Sequence, residues 1–211
     1  WGQVFSGPDG KLHVYFFDVG QGDSALIVTP TGRQVLVDGG PKPESATHAL
    51  AGPLSPGDRS LDMLVLTHLD GDHGQGMLAV LDRYRVASVL VGIEHPDSAL
   101  YLQWKVSLER AGLKVIAVET GHRIVLEPDV TLEVLNPPSE AISGPSPNLN
   151  NNSVVLRLVH GGVSFLLAAD IEAEAENYLL RQPAMLGSSV LKVAHHGSKT
   201  STTEAFLSRV A

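Results

Sequence analysis

Apolar and polar positions alternate along the chain in short blocks, as is typical of a mixed α/β protein. The first forty residues hold three apolar runs rich in β-branched residues, separated by the turn sequences "DVGQGD" and "PTG". These runs, "KLHVYFF", "DSALIVT" and "RQVLVD", predict three strands. A short helix is predicted from Ser45 to Ala51, and the continuous apolar run "LDMLVLT" then suits a buried strand.

The rest of the chain continues to alternate between helical and strand patterns. The segment "PPSEAISGPSPNLNNN" is a loop by composition. Helices are predicted at "GMLAVLDRY", at "DSALYLQWKVSLERAG" with Asp97 as its cap and Gly112 as its stop, at "IEAEAENYLLRQ" and at "STTEAFLSRV". Strands are predicted at "VASVLVG", "LKVIAVE", "RIVLE", "VTLEVLNP" and "SSVLKVA", with a hairpin in "SVVLRLVHGGVSFLLAAD" that turns at Gly161-Gly162. This order favours an α/β (α+β) fold with two sheets packed face to face and helices outside.

Composition limits the classes of protein that fit this pattern. With 211 residues, 43% of them hydrophobic, the chain suits one large domain or two small ones. The net charge of −8 argues against a generally basic nucleic-acid surface. It leaves nucleic acid open as a ligand, because bound divalent metal would reverse the sign of the charge locally. The absence of cysteine excludes disulfides, thiolate zinc sites and cysteine nucleophiles.

The stretch "THLDGDHGQG", directly after the apolar run "LDMLVL", concentrates candidate metal ligands. His68, Asp70, Asp72 and His73 offer two imidazoles and two carboxylates, which suit divalent zinc, manganese or iron. We expect a loop to turn these side chains inward, with Gly74 and Gly76 letting the backbone pass close to a metal. Alternatively, Asp72 caps the next helix within a polar surface loop. We favour the metal site, because a cap alone does not require two flanking histidines.

Two further clusters follow later strands. Asp170 ends an apolar strand and precedes a helix, where it is suited either to bridge two metals or to cap that helix. His195 and His196 end another strand. Alternation along a strand would send these two imidazoles to opposite faces, so the pattern does not decide which one binds metal. Each cluster falls at the C-terminal end of a predicted strand, where α/β folds place their sites.

The order H-x-D-x-D-H, then a strand-ending Asp, then a strand-ending "HHGS" resembles the metallo-β-lactamase-fold hydrolases. The stretches "FFDVGQGDSALIVTPTGRQVLVDGG", "NNSVVLRL", "FLLAADIEAEAE" and "LKVAHHGSKTS" narrow the resemblance. From about Leu12 to its last residue, the chain looks like the metallo-β-lactamase-like domain of ComEC-type DNA-internalisation proteins of bacterial competence. The resemblance implies an αββα four-layer sandwich, the metallo-β-lactamase fold, with a metal site between the sheets.

The resemblance also implies a function. Such a domain is expected to be a metal-dependent nuclease, or phosphodiesterase, that degrades the DNA strand that is not imported. It is expected on the extracytoplasmic side of a bacterial membrane protein, with single-stranded DNA as substrate and the membrane channel of the same polypeptide as partner. We expect residues 1–211 to form one domain, with 1–10 a linker from a preceding region and the C-terminal end truncated. We expect no membrane insertion by this fragment, since its apolar stretches are shorter than the roughly 20 residues of a spanning helix.

The resemblance implies a site of one or two divalent ions, with Mn²⁺ the natural candidate and Zn²⁺ the alternative. Relatives usually carry H-x-H-x-D-H, so Asp70 stands where a second His would be and favours a harder ion such as Mn²⁺. We expect Asp70 and Asp72 to be catalytic, with Asp70 as an added ligand or general base. The expected metal ligands are His68, Asp70, Asp72, His73, Asp170, His195 and His196.

Some positions keep two interpretations. The usual middle His ligand has no clear counterpart, and Asn150 to Asn152 offer either weak amide ligands or, as we favour, a turn. Ser198 and Lys199 are expected to hold a nonbridging phosphate oxygen, and Lys192 does so only if its strand face points into the cleft. In "DVGQGD", Asp18, Gln21 or Asp23 supports the site, or the segment is a structural turn.

Two other functions compete with a nuclease. One is another metallohydrolase of the same fold, such as a lactonase, thioesterase or phosphorylcholine esterase. The other is a non-catalytic DNA-guiding module whose incomplete site has lost activity.

Overall fold

The computed structural model describes residues 8–93, 99–142, 149–183 and 185–211. The predicted cap Asp97 lies outside these ranges. The helices are α1 (Ser45–Leu50), α2 (Gly71–Arg83), α3 (Ala99–Ala111), α4 (Ala173–Arg181) and α5 (Glu204–Val210). The strands are β1 (His13–Phe16), β2 (Ala25–Val28), β3 (Gln34–Val37), β4 (Ser60–Leu61), β5 (Met63–Leu66), β6 (Arg85–Val86), β7 (Val89–Val91), β8 (Val115–Ala117), β9 (Arg123–Glu127), β10 (Val130–Asn136), β11 (Val155–His160), β12 (Val163–Leu167) and β13 (Val190–Lys192). Within these ranges, no helix combines the length and the apolar character needed to cross a membrane.

The chain divides into two compact units, and each has its own large sheet. The first unit comprises residues 1–90 and 95–116, and the second comprises 91–94 and 117–211. Strands of the first sheet run in the order β1-β2-β3-β5-β7-β8, and those of the second in the order β13-β12-β11-β10-β9. The short strands β4 and β6 pair with each other. The described residues thus hold the two large sheets that the alternation of the sequence predicts.

In the first unit, a parallel strand pair brings distant parts of the sequence to one edge of the sheet. β3 runs parallel to β5, with Val37 opposite Val65, and the Asp38 amide donates to the Val65 carbonyl at 2.9 Å. Parallel strands end at the same edge, so the residue after β3 lies beside the residue after β5. Asp38 and Thr67 therefore become neighbours although 28 residues separate them in sequence.

In the second unit, a second parallel pair has the same effect. β11 and β12 form the predicted hairpin, with Gly161 at a φ of +55° in its turn. β12 then runs parallel to β13, with Leu167 opposite Lys192. The segments that follow the two strands are joined by a hydrogen bond of 2.9 Å from the His195 amide to the Ala169 carbonyl. An apolar core that includes Leu166, Leu179 and Phe206 packs α4 and α5 against this sheet.

Helix α2 differs from the sequence-based expectation. It begins at Gly71, five residues before the predicted start at Gly76, so Asp72 and His73 belong to its first turn. Both glycines of this helix that were singled out from the sequence lie in close packing contacts. A Cβ on Gly74 would press against the Leu69 side chain, and one on Gly76 would overlap the Gly39 carbonyl oxygen. Gly76 instead donates its amide to the Gly40 carbonyl at 3.0 Å, which anchors α2 on the segment after β3.

We expect Gly76→Ala to destabilise the chain by about 1–3 kcal/mol or more, because the added methyl group meets backbone that cannot move aside as a side chain would. Urea unfolding followed by circular dichroism measures this free energy. Gly71→Ala is the matched control, since a Cβ at Gly71, in the same helix, meets nothing within 4 Å. Equal unfolding midpoints for the two variants would contradict the close packing at Gly76.

Candidate metal centre

The first cluster of candidate ligands lies at the junction of β5 and α2. Thr67 and His68 continue directly from β5, and Asp70 is the N-cap residue of α2. Asp72 and His73 occupy the first helical turn. His68 and Asp70 thus lie in a four-residue connection between the strand end and the helix start, and Asp72 and His73 lie on the helix that follows. The imidazoles of His68 and His73 are buried and face each other, with ring centroids 4.1 Å apart.

A buried carboxylate that the sequence analysis did not single out orients both imidazoles. Asp38 is 1% exposed and accepts hydrogen bonds from the Thr67 amide at 2.9 Å and the Thr67 hydroxyl at 2.7 Å. Its Oδ2 atom also lies 2.8 Å from Nδ1 of His73. An ionised carboxylate only accepts hydrogen bonds, so Nδ1 of His73 carries the hydrogen and Nε2 keeps its lone pair.

The same argument fixes the tautomer of His68 through Thr67. Nδ1 of His68 lies 3.0 Å from the Thr67 hydroxyl oxygen. That hydroxyl has one hydrogen, which it donates to Asp38, so Nδ1 of His68 must be the donor in this contact. Nε2 of His68 therefore also keeps a lone pair. Both buried imidazoles are prepared to bind a cation through Nε2.

Carboxylates surround these two imidazoles. Oδ2 of Asp70 lies 3.7 Å from Nε2 of His68, and the Asp70 side chain is 43% exposed. A carboxylate oxygen of Asp23 lies within 4.8 Å of a ring nitrogen of His73. Asp23 belongs to "DVGQGD", and its amide donates to the Asp72 carbonyl at 3.3 Å. Of the three polar residues considered in that segment, Asp23 is the one that the structure brings to His73.

The close contact between "DVGQGD" and α2 requires a glycine. Gly22 has a φ of +135°, and a Cβ there would overlap the Asp72 carbonyl oxygen. Asp18 accepts a hydrogen bond from the Gly20 amide at 3.3 Å, so it stabilises the turn itself. The segment is therefore a structural turn that also brings the Asp23 carboxylate close to His73.

The second cluster follows β12 and β13. Asp170 is buried, and its Oδ2 lies 3.1 Å from Nε2 of His196 and 3.9 Å from Nε2 of His195. The alternation expected for the two histidines is wrong, because β13 ends at Lys192, three residues before His195. Both histidines instead adopt left-handed backbone, with φ of 47° and 51°, and both imidazoles reach the same carboxylate. Nδ1 of His195 lies 3.2 Å from Oε1 of Glu172.

The structure does not support the helix-capping alternative for either aspartate. The N-cap residue of α2 is Asp70 and that of α4 is Glu172, and neither side chain makes a capping hydrogen bond. Asp72 lies inside α2, and Asp170 lies two residues before the N-cap of α4. Neither Asp72 nor Asp170 is therefore the N-cap residue of its helix.

The asparagine segment is a turn, as favoured from the sequence. Asn150 to Asn152 form one turn of 3-10 helix. Oδ1 of Asn151 accepts hydrogen bonds from the amides of Glu172 at 2.9 Å and Ala175 at 3.2 Å. The Asn152 side chain accepts from the Ile142 amide at 2.8 Å and donates to its carbonyl at 3.2 Å. These amides hold backbone, so they are not positioned as replacements for a metal-binding His.

Three candidate substrate contacts lie in or after β13. Lys192 is half-buried at the strand end, and Lys199 is exposed. Oγ of Ser198 lies 2.9 Å from the Thr200 hydroxyl, which donates its own hydrogen to Glu172 at 3.0 Å. The Ser198 hydroxyl must therefore donate to Thr200. This hydrogen bond has to break before Ser198 can donate to a substrate.

The donor set fits a divalent metal ion. Imidazole nitrogens with free lone pairs and carboxylate oxygens are the donors that zinc, manganese and iron take, and the chain has no thiolate. Within the first unit the structure brings together His68, Asp70 and His73, with Asp72 in the same helical turn as His73, and within the second Asp170, His195 and His196. The sequence analysis missed Asp38. The sequence does contain a pattern that could have identified Asp38. In "VLVDGG" this aspartate directly follows an apolar strand, as Asp170 does.

Comparisons with known proteins identify the family of the chain. The family model described as the Metallo-beta-lactamase superfamily matches residues 17–211. The chain is 30% identical to ComE operon protein 3 of Bacillus subtilis, over 93% of this chain and 27% of that protein. It is also 30% identical to Competence protein ComA of Neisseria gonorrhoeae, over 97% of this chain and 26% of that protein. The chain thus spans about a quarter of the length of these curated relatives, and the resemblance to ComEC-type competence proteins is confirmed.

Solved structures support the fold. Rm3 metallo-beta-lactamase matches with a TM-score of 0.50 and 18% identity, over 93% of this chain and 68% of that one. A metallo-beta-lactamase from Cronobacter sakazakii matches with a TM-score of 0.51 and 16% identity, over 74% of this chain and 61% of that one. At this level of identity the likeness concerns the fold alone. Together with the family match, it confirms the predicted metallo-β-lactamase fold.

We expect Asp38→Asn to weaken the affinity of the chain for Mn²⁺ or Zn²⁺ about 10–100-fold, because the amide no longer fixes the hydrogens of Thr67 and His73. Isothermal titration calorimetry measures this affinity. The matched control is Asp82→Asn, the same change at an exposed position of α2. A folded Asp38→Asn variant with the affinity of the unmodified chain would show that Asp38 does not orient the ligands.

Proposed function

Because the chain belongs to the metallo-β-lactamase superfamily, we propose that it is a metal-dependent phosphodiesterase that degrades DNA. The proposed substrate is the strand that is not imported during DNA uptake, and the proposed setting is the extracytoplasmic part of a membrane protein. The proposed metal ligands are His68, Asp70, Asp72, His73, Asp170 and one or both of His195 and His196.

The observation that carries the proposal is the hydrogen-bond network of Asp38. This buried carboxylate, directly and through Thr67, sets two neighbouring imidazoles in the same tautomer, with the hydrogen on Nδ1. Neutral imidazoles with a free Nε2 are the form in which histidine binds a metal. The network therefore supports a centre that is ordered before the ion arrives.

The DNA part of the proposal is supported by the relatives. Competence protein ComA and ComE operon protein 3 carry names that refer to competence or to a com operon, and each matches more than nine-tenths of this chain. The net charge of −8 gives the chain no general attraction for DNA phosphates. A proposed DNA substrate therefore requires local positive charge at the site, which a divalent ion would provide.

When bound, a divalent ion lowers the pKa of a water ligand and offsets negative charge on a phosphoryl group. The residues of the chain supply the remaining functions. Asp70, with its carboxylate partly exposed beside His68, is placed to take a proton from the attacking water at Oδ2. The water oxygen then forms a bond to phosphorus as the bond to the leaving oxygen breaks, and solvent protonates the leaving oxygen. General-base help of this kind typically contributes about 10²–10⁴-fold to a rate.

Lys199 is the better candidate of the two proposed phosphate contacts. Lys199 is exposed and lies three residues after His196, the last residue of the second cluster. Ser198 first has to give up its hydrogen bond to Thr200. We therefore propose that Lys199 holds a nonbridging oxygen of the DNA backbone and that Ser198 contributes less.

Metal content tests the proposed ligand set. We expect His73→Ala and Asp170→Ala each to lower the metal bound per chain to less than half. Each substitution removes one of the few side chains proposed to bind the metal directly. Mass spectrometry of metal content after gel filtration measures the ratio. His48→Ala removes an exposed histidine of α1 and should retain the full content. Full metal content in both site variants would refute the ligand set.

Cleavage of end-labelled single-stranded DNA tests the activity. The metal-stripped chain is supplied with Mn²⁺, Mg²⁺ or Zn²⁺ in parallel, and the fragments are separated on a denaturing gel. We expect cleavage to return with Mn²⁺, to disappear in Asp72→Ala and to fall about 100-fold or more in Asp70→Ala. Asp82→Ala, an exposed carboxylate of the same helix, should cleave normally.

Other outcomes of these experiments would indicate one of the alternative functions. Tight metal binding without cleavage of DNA, together with turnover of a chromogenic ester, would indicate a different metallohydrolase. DNA binding that survives Asp72→Ala, with no metal bound and no cleavage, would indicate a guiding module.

A further inference from the structure

Glu176, near the start of α4, is a carboxylate that the protein buries completely. A buried charge is strongly destabilising unless it is paired or hydrogen-bonded. The two oxygens of Glu176 accept hydrogen bonds from two successive backbone amides of another segment. Oε1 accepts from the Thr202 amide, and Oε2 accepts from the Thr203 amide at 2.9 Å. The burial of this carboxylate therefore depends on the backbone that follows the double histidine.

The backbone of Thr202 is left-handed where these two amides meet the carboxylate. Its φ is +55°, a conformation that is strained for a β-branched residue. Such a residue persists only where its surroundings impose the conformation. Successive amides that are turned to one side form a concave site for an anion. Here the anion is the Glu176 side chain, which therefore holds Thr202 in its strained conformation.

The Thr202 side chain binds the residue that directly precedes the double histidine. Its hydroxyl oxygen accepts a hydrogen bond from the Ala194 amide at 3.2 Å. The Ser201 hydroxyl shares its hydrogen between the carbonyls of Ala194 at 3.0 Å and Ser198 at 3.1 Å. Side chains from the end of this segment thus bind both backbone groups of Ala194. Residues 194–202 therefore form a loop that is closed at its base, and the double histidine lies within it.

We propose that Glu176 is a positioning residue for the double histidine. By holding Thr202 it closes the loop, and the closed loop imposes the left-handed backbone that brings both imidazoles to Asp170. The role of His195 and His196 as metal ligands rests on the proposed function. The role of Glu176 in shaping the loop does not, because it follows from hydrogen bonds within the chain.

The shape of the loop is tested first, in the metal-free chain, with the nearly isosteric variant Glu176→Gln. The glutamine side chain has one acceptor oxygen, so one of the two buried amides loses its partner. NMR of the ¹³C,¹⁵N-labelled chain after treatment with EDTA measures φ of His195 and His196 from Cα shifts and one-bond Cα–Hα couplings. We expect positive φ at both histidines in the unmodified chain and a loss of this preference in Glu176→Gln.

Metal affinity is then measured by calorimetry with Mn²⁺ and Zn²⁺. We expect Glu176→Gln and Thr202→Val each to bind metal about tenfold or more weakly, as is typical when a residue that orients a ligand is removed. Valine keeps the β-branched shape of Thr202 and removes the hydroxyl that binds the Ala194 amide.

Thr203→Val is the matched control, because it makes the same exchange at the neighbouring residue. The Thr203 hydroxyl accepts from the Phe206 amide at 3.3 Å as the cap of α5, and it does not bind Ala194. We expect this variant to have a lower midpoint of urea unfolding and the metal affinity of the unmodified chain. The control thus separates an effect on the loop from a general loss of stability.

The outcomes separate this inference from the proposed function. Negative φ at both histidines in the unmodified chain, or positive φ at both in a folded Glu176→Gln variant, would overturn the inference. So would an equal loss of metal affinity in Thr202→Val and Thr203→Val, a comparison that does not require Glu176→Gln to fold. Metal binding that depends on Glu176, without any cleavage of DNA, would support the inference while refuting the nuclease.

Discussion

The hydrogen bonds accepted by the buried carboxylate of Asp38 are the constraint on which the first unit depends. They join the end of β3, the end of β5 and the first turn of α2 through Thr67 and His73. A buried charge with too few partners is strongly destabilising, so all three donors have to stay in place. The network orders the two histidines because the carboxylate could not otherwise be buried.

The two units bring their candidate ligands together in the same way. In each, two parallel strands end at one edge of a sheet, and the residues that follow them meet there. After β3 and β5 these residues are Asp38, Thr67 and His68, and after β12 and β13 they include Asp170 and the double histidine. Backbone pairing fixes the positions of the strand ends, so ligands far apart in sequence need no long loops to meet.

The strands, the helices and most candidate ligands could be predicted because they depend on local patterns. Alternating apolar residues and strand-ending polar residues are visible within ten positions. The roles of Asp38 and Asp23 could not be predicted in this way, since each lies near a histidine that is 35 or more positions away in the sequence. The start of α2 was missed because Gly71, Gly74 and Gly76 weaken the helical signal, and the packing that requires two of them is visible only in the folded chain.

Backbone strain is concentrated around the candidate ligands. Among the residues that the structure describes, five other than glycine have positive φ: Asp38, Ala169, His195, His196 and Thr202. Such residues cost about 1–3 kcal/mol each and persist only where the surroundings impose them. Among the five, Ala169 alone has a side chain without a hydrogen-bonding or ligating atom. For protein engineering, this makes Ala169→Gly a route to a more relaxed backbone that removes no candidate ligand, whereas the same exchange at Asp38, His195 or His196 would remove a side chain of the proposed metal centre.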